Sequence, residues 1–304
     1  MTERTMNIVR QSLERLLPLT SRGNRELYDP PAAPIIPGRP DAMTREIKIM
    51  SFNVYCRTGG ALGLSNRYNG VVKTILSEMP DSFGLQEAHE LWRVPLKKDL
   101  SELYGIACNK GRVFGVHEGT PIFYRKDKYE LAREGVFWLS ENPEIASVGW
   151  DAACPRIAGW AVLQEKNSGF RYAHFNTHLD HIGPVAMANG ARLVTDRINA
   201  LGLPVAAGLP AVLTGDLNDE PGSLPMEYLK AGGLTDLRFA ARDSDTGPTF
   251  HAYKEDDGEG KVIDYVYANH YLRGCAAFKV IRDQYDGMYP SDHFAVSAAL
   301  TLAN

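Results

Sequence analysis

The chain has 304 residues, of which 44% are hydrophobic and 23% charged, and a formal net charge of −4. That composition is ordinary for a globular protein of one large or two small domains, and it offers no global positive field of the kind that grips long duplex DNA. Four scattered cysteines, Cys56, Cys108, Cys154 and Cys275, form no CxxC; this argues against a zinc or disulfide framework and for reduced thiols in a cytoplasmic protein. No apolar run reaches the length of about 18 residues that a membrane span needs.

Residues 1–25 place Ile8, Val9, Leu13, Leu16 and Leu17 on one side of a helix, with Glu3, Glu14 and Glu26 spoiling a transit-peptide reading; a docking helix is expected. "DPPAAPIIPGRP" (29–40) has five prolines in twelve positions and reads as an extended linker. Two parts are therefore expected: an N-terminal helix and linker over 1–44, and a main domain over 45–304. No obligate protein partner is evident.

"IKIMSFNVY" (47–55) alternates as a strand, "NGVVKTILSEM" (69–79) has helical spacing stopped by Pro80, and "SFGLQEA" (82–88) is a short apolar strand. "ELWRVPLKKDLSEL" reads as a broken helix. Strands follow at 120–127, 129–140, 158–166 and 170–179, then a helix over roughly 184–202, a strand at 210–218, a helix near 223–232, and strands at 261–270, 274–283 and 292–302. Strands that outnumber helices, many in hairpin order, predict two packed sheets with helices outside.

Polar residues collect where these strands end: Asn53, Gln86-Glu87, His178 and Asp180, Asp216 and Asn218, Asp264, and Asp292-His293. Taken singly each has a bland reading. Asn53 is a strand-end amide, Glu87 a helix-start residue, His178 a satisfied core histidine, "GDLND" an Asx-rich turn, and "PSDHFAV" a turn before a strand. Asp264 inside "VIDYVY" is harder to dismiss, because a buried carboxylate is costly unless paired. Taken together they match a need. A hard divalent cation wants carboxylate and amide oxygens, and phosphate-ester hydrolysis wants a cation, an oriented water and donors for the nonbridging oxygens.

The segments "IMSFNVY", "FGLQE", "FNTHLDH", "LTGDLND", "IDYVYA" and "SDHFAV", in this order over 49–296, resemble the endonuclease/exonuclease/phosphatase superfamily, which includes DNase I, exonuclease III-type repair nucleases, deadenylases, neutral sphingomyelinases and inositol polyphosphate 5-phosphatases. The resemblance implies an α/β four-layer sandwich, two mixed β-sheets face to face with helices outside, and an active site at one end. It implies Mg²⁺ or Mn²⁺ as cofactor, held by Asn53, Glu87 and Asp292. It implies catalytic roles for His178 at the scissile phosphate, Asp216 at the attacking water, Asn218 at the phosphate, and Asp264 paired with His293, itself general base or transition-state stabiliser.

Five further residues are candidates for substrate binding. Arg156 before a strand can fork onto a phosphate or make a surface ion pair. Asp180 and His181 extend the "HLDH" run; they serve substrate, a second metal or, for Asp180, the cap of the next helix. Tyr124 is a substrate contact or core tyrosine, and His251 lines the cleft or is structural. "KEDDGEG" is expected to be a solvated hairpin turn. The resemblance implies a metal-dependent phosphoesterase, and this chain shows no groove-reading insertions, membrane-facing hairpin or Lys-rich phosphate motifs. A phosphodiesterase of nuclease type is favoured, acting on single-stranded nucleic acid, a nucleotide or another small phosphorylated molecule. A phosphomonoesterase, or a catalytically silent member that binds phospholigands or protein, is the alternative.

Overall fold

The computed structural model describes residues 44–108, 119–201, 208–254 and 260–303. The expected N-terminal helix, the proline linker and the centre of the acidic "KEDDGEG" turn lie outside the described residues.

Thirteen strands form two sheets among the described residues. The first sheet has the order β10-β12-β13-β1-β2-β4-β3: β10 (Ala241–Ser244), β12 (Leu272–Ile281), β13 (Ala295–Ala303), β1 (Thr44–Asn53), β2 (Ser82–Gln86), β4 (Ile122–Arg125) and β3 (Tyr104–Ala107). The second has the order β5-β6-β7-β8-β11-β9: β5 (Tyr129–Trp138), β6 (Ile157–Glu165), β7 (Arg171–His178), β8 (Ala211–Asp216), β11 (Asp264–Ala268) and β9 (Thr235–Asp236). Both are mixed: β1 runs parallel to β2 and β7 parallel to β8, while β13 and β11 run antiparallel to their neighbours.

Helices α1 (Leu64–Glu78) and α2 (Glu90–Asp99) cover the outer face of the first sheet, burying Val71, Ile75, Trp92 and Leu96 against Phe52, Phe83 and Leu85. Helices α3 (Pro184–Ala200) and α4 (Leu224–Ala231) cover the second, with Val194, Ile198 and Leu229 on Phe175 and Leu213. A third apolar cluster, including Ile49, Leu163, Val212, Val266, Phe278 and Val296, lies between the sheets. This is the expected four-layer sandwich. Among the described residues no helix is long and apolar enough to cross a membrane.

Differences from the sequence expectation are local. Helix α1 begins at Leu64, five residues before the apolar spacing starts. Helix α2 contains Pro95 without breaking; the carbonyl that Pro95 leaves unbonded belongs to Leu91, an exposed residue. The short elements β3, β9, β10 and α5 (Leu237–Ala240) carry too few residues to show a period.

A polar spine crosses the otherwise apolar inter-sheet layer. On β7, Tyr172, His174 and Asn176 alternate toward the first sheet. The Tyr172 hydroxyl lies 3.0 Å and His174 Nδ1 2.7 Å from Ser82 Oγ, and His174 Nε2 lies 2.9 Å from Thr214 Oγ1. Asn176 donates to the carbonyls of Leu85 and Pro121 and accepts from Gln86 and Thr214. Gly84 is required here: a Cβ would stand 2.3 Å from both Asn176 and Thr214. The next residue of this row on β7 is His178, and the neighbour of Gln86 is Glu87. The spine thus sets the register between sheets just below the cleft.

Candidate active site

The strand pairing brings six chain segments to one end of the sandwich. Asn53 pairs with Gln86 at the carboxyl ends of parallel β1 and β2, and His178 with Asp216 at the carboxyl ends of β7 and β8. Asp264, first residue of antiparallel β11, pairs with Asp216, and β13 enters from the same end. Strand ends are the rigid places from which a fold presents side chains to a cleft.

Asn53 is fully buried and joins both sheets: its Nδ2 donates to Glu87 Oε1 (3.2 Å) and Asp216 Oδ2 (2.9 Å), while its Oδ1 accepts from Tyr55 N (3.0 Å). Two acceptor carboxylates on one side and an N–H on the other dictate this amide orientation. Glu87 Oε2 accepts from Cys56 N at 2.7 Å. Burial alone would raise the Glu87 pKa, but His178 and the donors from Cys56 and Asn53 hold it below the usual range. Glu87 and Asn218 both adopt left-handed backbone, φ 56° and 54°, a cost that clusters at functional sites.

Asp216 is the hub. Its Oδ2 lies 3.4 Å from His178 Nε2 and 3.7 Å from His293 Nε2, and its Oδ1 accepts from Asn218 N at 3.0 Å. Asn218 Nδ2 donates to Leu179 O at 3.0 Å. On its other side His293 Nδ1 donates to Asp264 Oδ2 at 2.9 Å. Burial would lower the His293 pKa, yet Asp264, Asp216 and Asp292 together push it up to about 10, so the ring is charged. Asp264 is raised by burial, against the pull of His293; its backbone N–H donates to Thr249 Oγ1 at 3.0 Å. Burial pushes Asp292 up to about 6, with His293 opposing and Glu87 reinforcing the shift.

The Asp292-His293 pair is held in place from two directions. Ser291 Oγ donates to Asn53 O (2.7 Å), and His251 N and Phe294 N zip the 249–251 segment onto 292–294. Arg67 of α1 is buried beneath the site and gives all five donors to backbone carbonyls, those of Leu62, Val54, Pro290, Tyr55 and Arg57, at 2.7–3.0 Å. It clamps the loop after β1 to the turn that carries Asp292.

These side chains open onto a cavity of about 990 Å³ lined by Glu87, His178, Asp216, Asn218, Asp292 and His293, with Cys56, Thr58, His89, Glu90, Leu91, Arg156, His181, Phe250, Lys261 and Ile263 as further walls. Asp216, Asp264 and His293 offer ligand atoms within 4.8 Å of one another. Within this trio His293 Nδ1 is already engaged by Asp264 Oδ2 at 2.9 Å.

A sequence model of the endonuclease/exonuclease/phosphatase family matches residues 50–293, a span that holds every one of these side chains. The chain belongs to the endonuclease/exonuclease/phosphatase family. An uncharacterized protein of Acanthamoeba polyphaga mimivirus is 24% identical over 237 residues, covering 74% of this chain and 86% of the relative. Among solved structures, a family protein of Bacteroides thetaiotaomicron is 28% identical with TM-score 0.78, covering 86% of this chain and 96% of that one. A mannosyl-6-phosphatase from the same organism is 29% identical with TM-score 0.75, covering 84% and 99%. TDP2 of Caenorhabditis elegans is 23% identical with TM-score 0.65, covering 84% and 97%, a likeness of fold.

Eight family-motif positions meet in this one place, though Asn53 does so as a bridge between carboxylates rather than with an oxygen turned to the cavity. Of the five further candidates, Arg156 and His181 line the cavity. Asp180 does not: its carboxylate accepts from Ala153, Ile182 and Gly183 N–H groups, pinning the turn before α3. Tyr124 pairs with Ser82, at the far end of β2 from Glu87 and about 16 Å along the strand, where it packs on the inter-sheet core. A substrate role for Tyr124 does not fit that position. His251 is buried against Phe294 (4.2 Å, stacked) and Tyr289 (4.6 Å), while its neighbour Phe250 faces the cavity; the strand-like alternation assigns the wall to Phe250. Arg67, Thr58, Lys261 and the His89-Glu90 pair escaped the sequence reading. Only His89-Glu90, directly after "LQEA", carried a signal.

Proposed function

We propose that the chain is a divalent-metal-dependent phosphoesterase working by in-line attack of a water. The observation that carries this is Asp216 Oδ2 set between His178 and His293, with His293 backed by Asp264, on a cavity that also presents Glu87 and Asp292.

The donor set suits a hard cation. Glu87 and Asp292 are oxygen donors on one cavity, and Asp292 is pushed toward its protonated form by burial and by Glu87, a penalty that a cation relieves. Mg²⁺ or Mn²⁺ held by these two carboxylates supplies charge to offset the phosphoryl oxygens. Asp216 accepts the proton of the attacking water. The charged His293 donates through Nε2 to a phosphoryl oxygen, and Asp264 keeps that ring oriented. His178 and Asn218, flanking Asp216, bind the remaining phosphoryl oxygens. Asn53 acts through Glu87 and Asp216 as a positioning residue.

On the kind of ester, the expectation of a diester gives way to a phosphomonoester reading. The relative named as a mannosyl-6-phosphatase matches nearly end to end at 29% identity, whereas the TDP2 likeness, one of whose structures holds a single-strand DNA product, is 16–23% identical and one of fold. Initial rates on p-nitrophenyl phosphate and bis(p-nitrophenyl) phosphate, with Mg²⁺, Mn²⁺ or EDTA, test both levels. Metal-dependent turnover with the monoester preferred is expected. Diester preference would reverse the second reading, and EDTA-insensitive turnover or none on either ester would overturn the first.

A further inference from the structure

One wall of the cavity is built from three side chains outside the acid–base array. Arg156 is buried before β6, its Nη2 3.1 Å from His181 Nδ1 and its Nε 3.8 Å from Asp180 Oδ2. Asp180 is itself immobilised by three backbone N–H groups at 2.7–3.0 Å. A guanidinium has donors only. His181 Nδ1 is therefore the acceptor, and the ring's proton sits on Nε2, on the side turned away from Arg156. His181 is exposed and borders the cavity. The result is a fixed chain, carboxylate to guanidinium to imidazole, that ends in one oriented N–H donor and whose charges cancel.

The charge of the remaining wall decides what such a donor can receive. Among the described residues the cavity lining holds four carboxylates, Glu87, Glu90, Asp216 and Asp292, against three cationic side chains, Arg156, Lys261 and His293, the last already matched by Asp264 at 2.9 Å. The Arg156 charge is already matched by Asp180. One cation at the metal carboxylates accommodates one phosphoryl group; a second phosphate would face uncompensated negative charge. A hydroxyl group, both donor and acceptor, instead finds partners: His181 Nε2–H, the Thr58 hydroxyl and the Glu90 carboxylate, with Phe250 and Leu91 as apolar faces. A cavity of about 990 Å³ leaves room for such a group beside the phosphate.

We propose that Arg156 and His181 form the subsite for the alcohol half of the substrate, and that this half is an uncharged polyhydroxyl group of sugar size. The proposal rests on the phosphoesterase reading of the cavity. His181 contacts the substrate; Arg156 fixes its tautomer, and Asp180 is a positioning residue behind both. Cys154, Asp180 and His181 also offer three ligand atoms within 4.8 Å, but the Arg156 guanidinium lies 3.1 Å from His181 Nδ1 and 3.8 Å from Asp180 Oδ2 and opposes a cation there.

The test compares a hexose 6-phosphate with phenyl phosphate, and both with inorganic phosphate, in the full-length protein with Mg²⁺. Steady-state kinetics give kcat and KM, and calorimetry gives the Kd of hexose 6-phosphate and of phosphate. His181→Ala is expected to lower kcat/KM at least tenfold more on the hexose ester than on phenyl phosphate, mainly through KM. Its Kd for inorganic phosphate is expected to move less than twofold. Arg156→Lys, which keeps the charge and loses the fork, is expected to follow in the same direction, and Asp180→Asn more weakly. Equal losses on both esters would overturn the proposal, since the pair would then serve the phosphoryl group. No change on either ester would overturn it equally. Co²⁺ added alone and giving a thiolate charge-transfer band that Cys154→Ser abolishes would make the cluster a metal site instead. Failure to hydrolyse either ester would sink the phosphoesterase reading by itself; the hexose-phosphate and phosphate Kd values, compared in the same variants, would still judge the subsite.

Discussion

His174 and His293 are both buried in this sandwich, and they end in opposite states. His174 lies in the spine between the sheets, flanked by the hydroxyls of Ser82 and Thr214; burial pushes its pKa down to about 3 and the ring is neutral. His293 lies at the cleft, where burial would do the same but three carboxylates push it up to about 10. Depth in the protein does not decide charge; the neighbours do. The spine uses polar groups whose partners are all internal, and so it fixes register. The cleft uses charges that are only partly matched within the protein, and so it keeps capacity for a substrate. The two regions share strand β7, four residues apart.

The sharpest way to break this contrast is to remove the charge that makes His293 different. Asp264→Asn is expected to lower kcat roughly a thousandfold, within the range for a lost acid–base orienter, with metal binding retained; single-turnover rates and metal titration check both. Arg67→Met attacks the frame of the cleft and leaves buried carbonyls without donors. It is expected to cost about 3 kcal/mol or more in a urea unfolding titration, with the spine unaffected.

The spine histidine is tested by acid. Because the folded pKa of His174 is depressed to about 3 from 6.5, its ring costs nothing above pH 6.5. As pH falls below that value the unfolded chain takes up a proton that the folded chain refuses, and stability falls toward pH 3. The loss at pH 5 is about 2 kcal/mol. His174→Gln cannot titrate, so the stability difference between pH 7 and pH 5 is expected to shrink by about that amount in chemical denaturation. His293 has the opposite sign: its contribution is present below pH 6.5 and lost as pH rises through about 10. The smallest effect is expected from Tyr124→Phe, at the far end of β2, which should leave kcat/KM for p-nitrophenyl phosphate within about threefold of wild type.

Much of this was legible in the chain, for a physical reason. Strands with polar residues at one end show themselves by alternation flanked by a carboxylate or imidazole: Glu87, His178 and Asp216 stand at the carboxyl ends of their strands, and Asp264, Asp292 and His293 open or precede theirs. What alternation cannot show is direction. Tyr124 lies on a strand as readable as the others, but β4 runs antiparallel to β2 and carries it away from the cleft. His251 and Phe250 were one residue out of phase, which on an extended segment exchanges core for cavity. The role of Asn53 depends on which way its amide faces, a matter of two carboxylates from distant segments. Arg67 left no trace at all, because its five acceptors are backbone carbonyls, which every residue has. The Arg156–His181 contact likewise joins segments 25 residues apart.

The most direct test of the account is the rate of p-nitrophenyl phosphate hydrolysis at saturating Mg²⁺ by wild type, Asp216→Asn, His293→Gln and the double variant. Both single variants are expected to lose roughly a hundredfold or more, and the double variant no more than about tenfold beyond the worse single, because both groups serve one step. Single variants that keep turnover within threefold of wild type would contradict it.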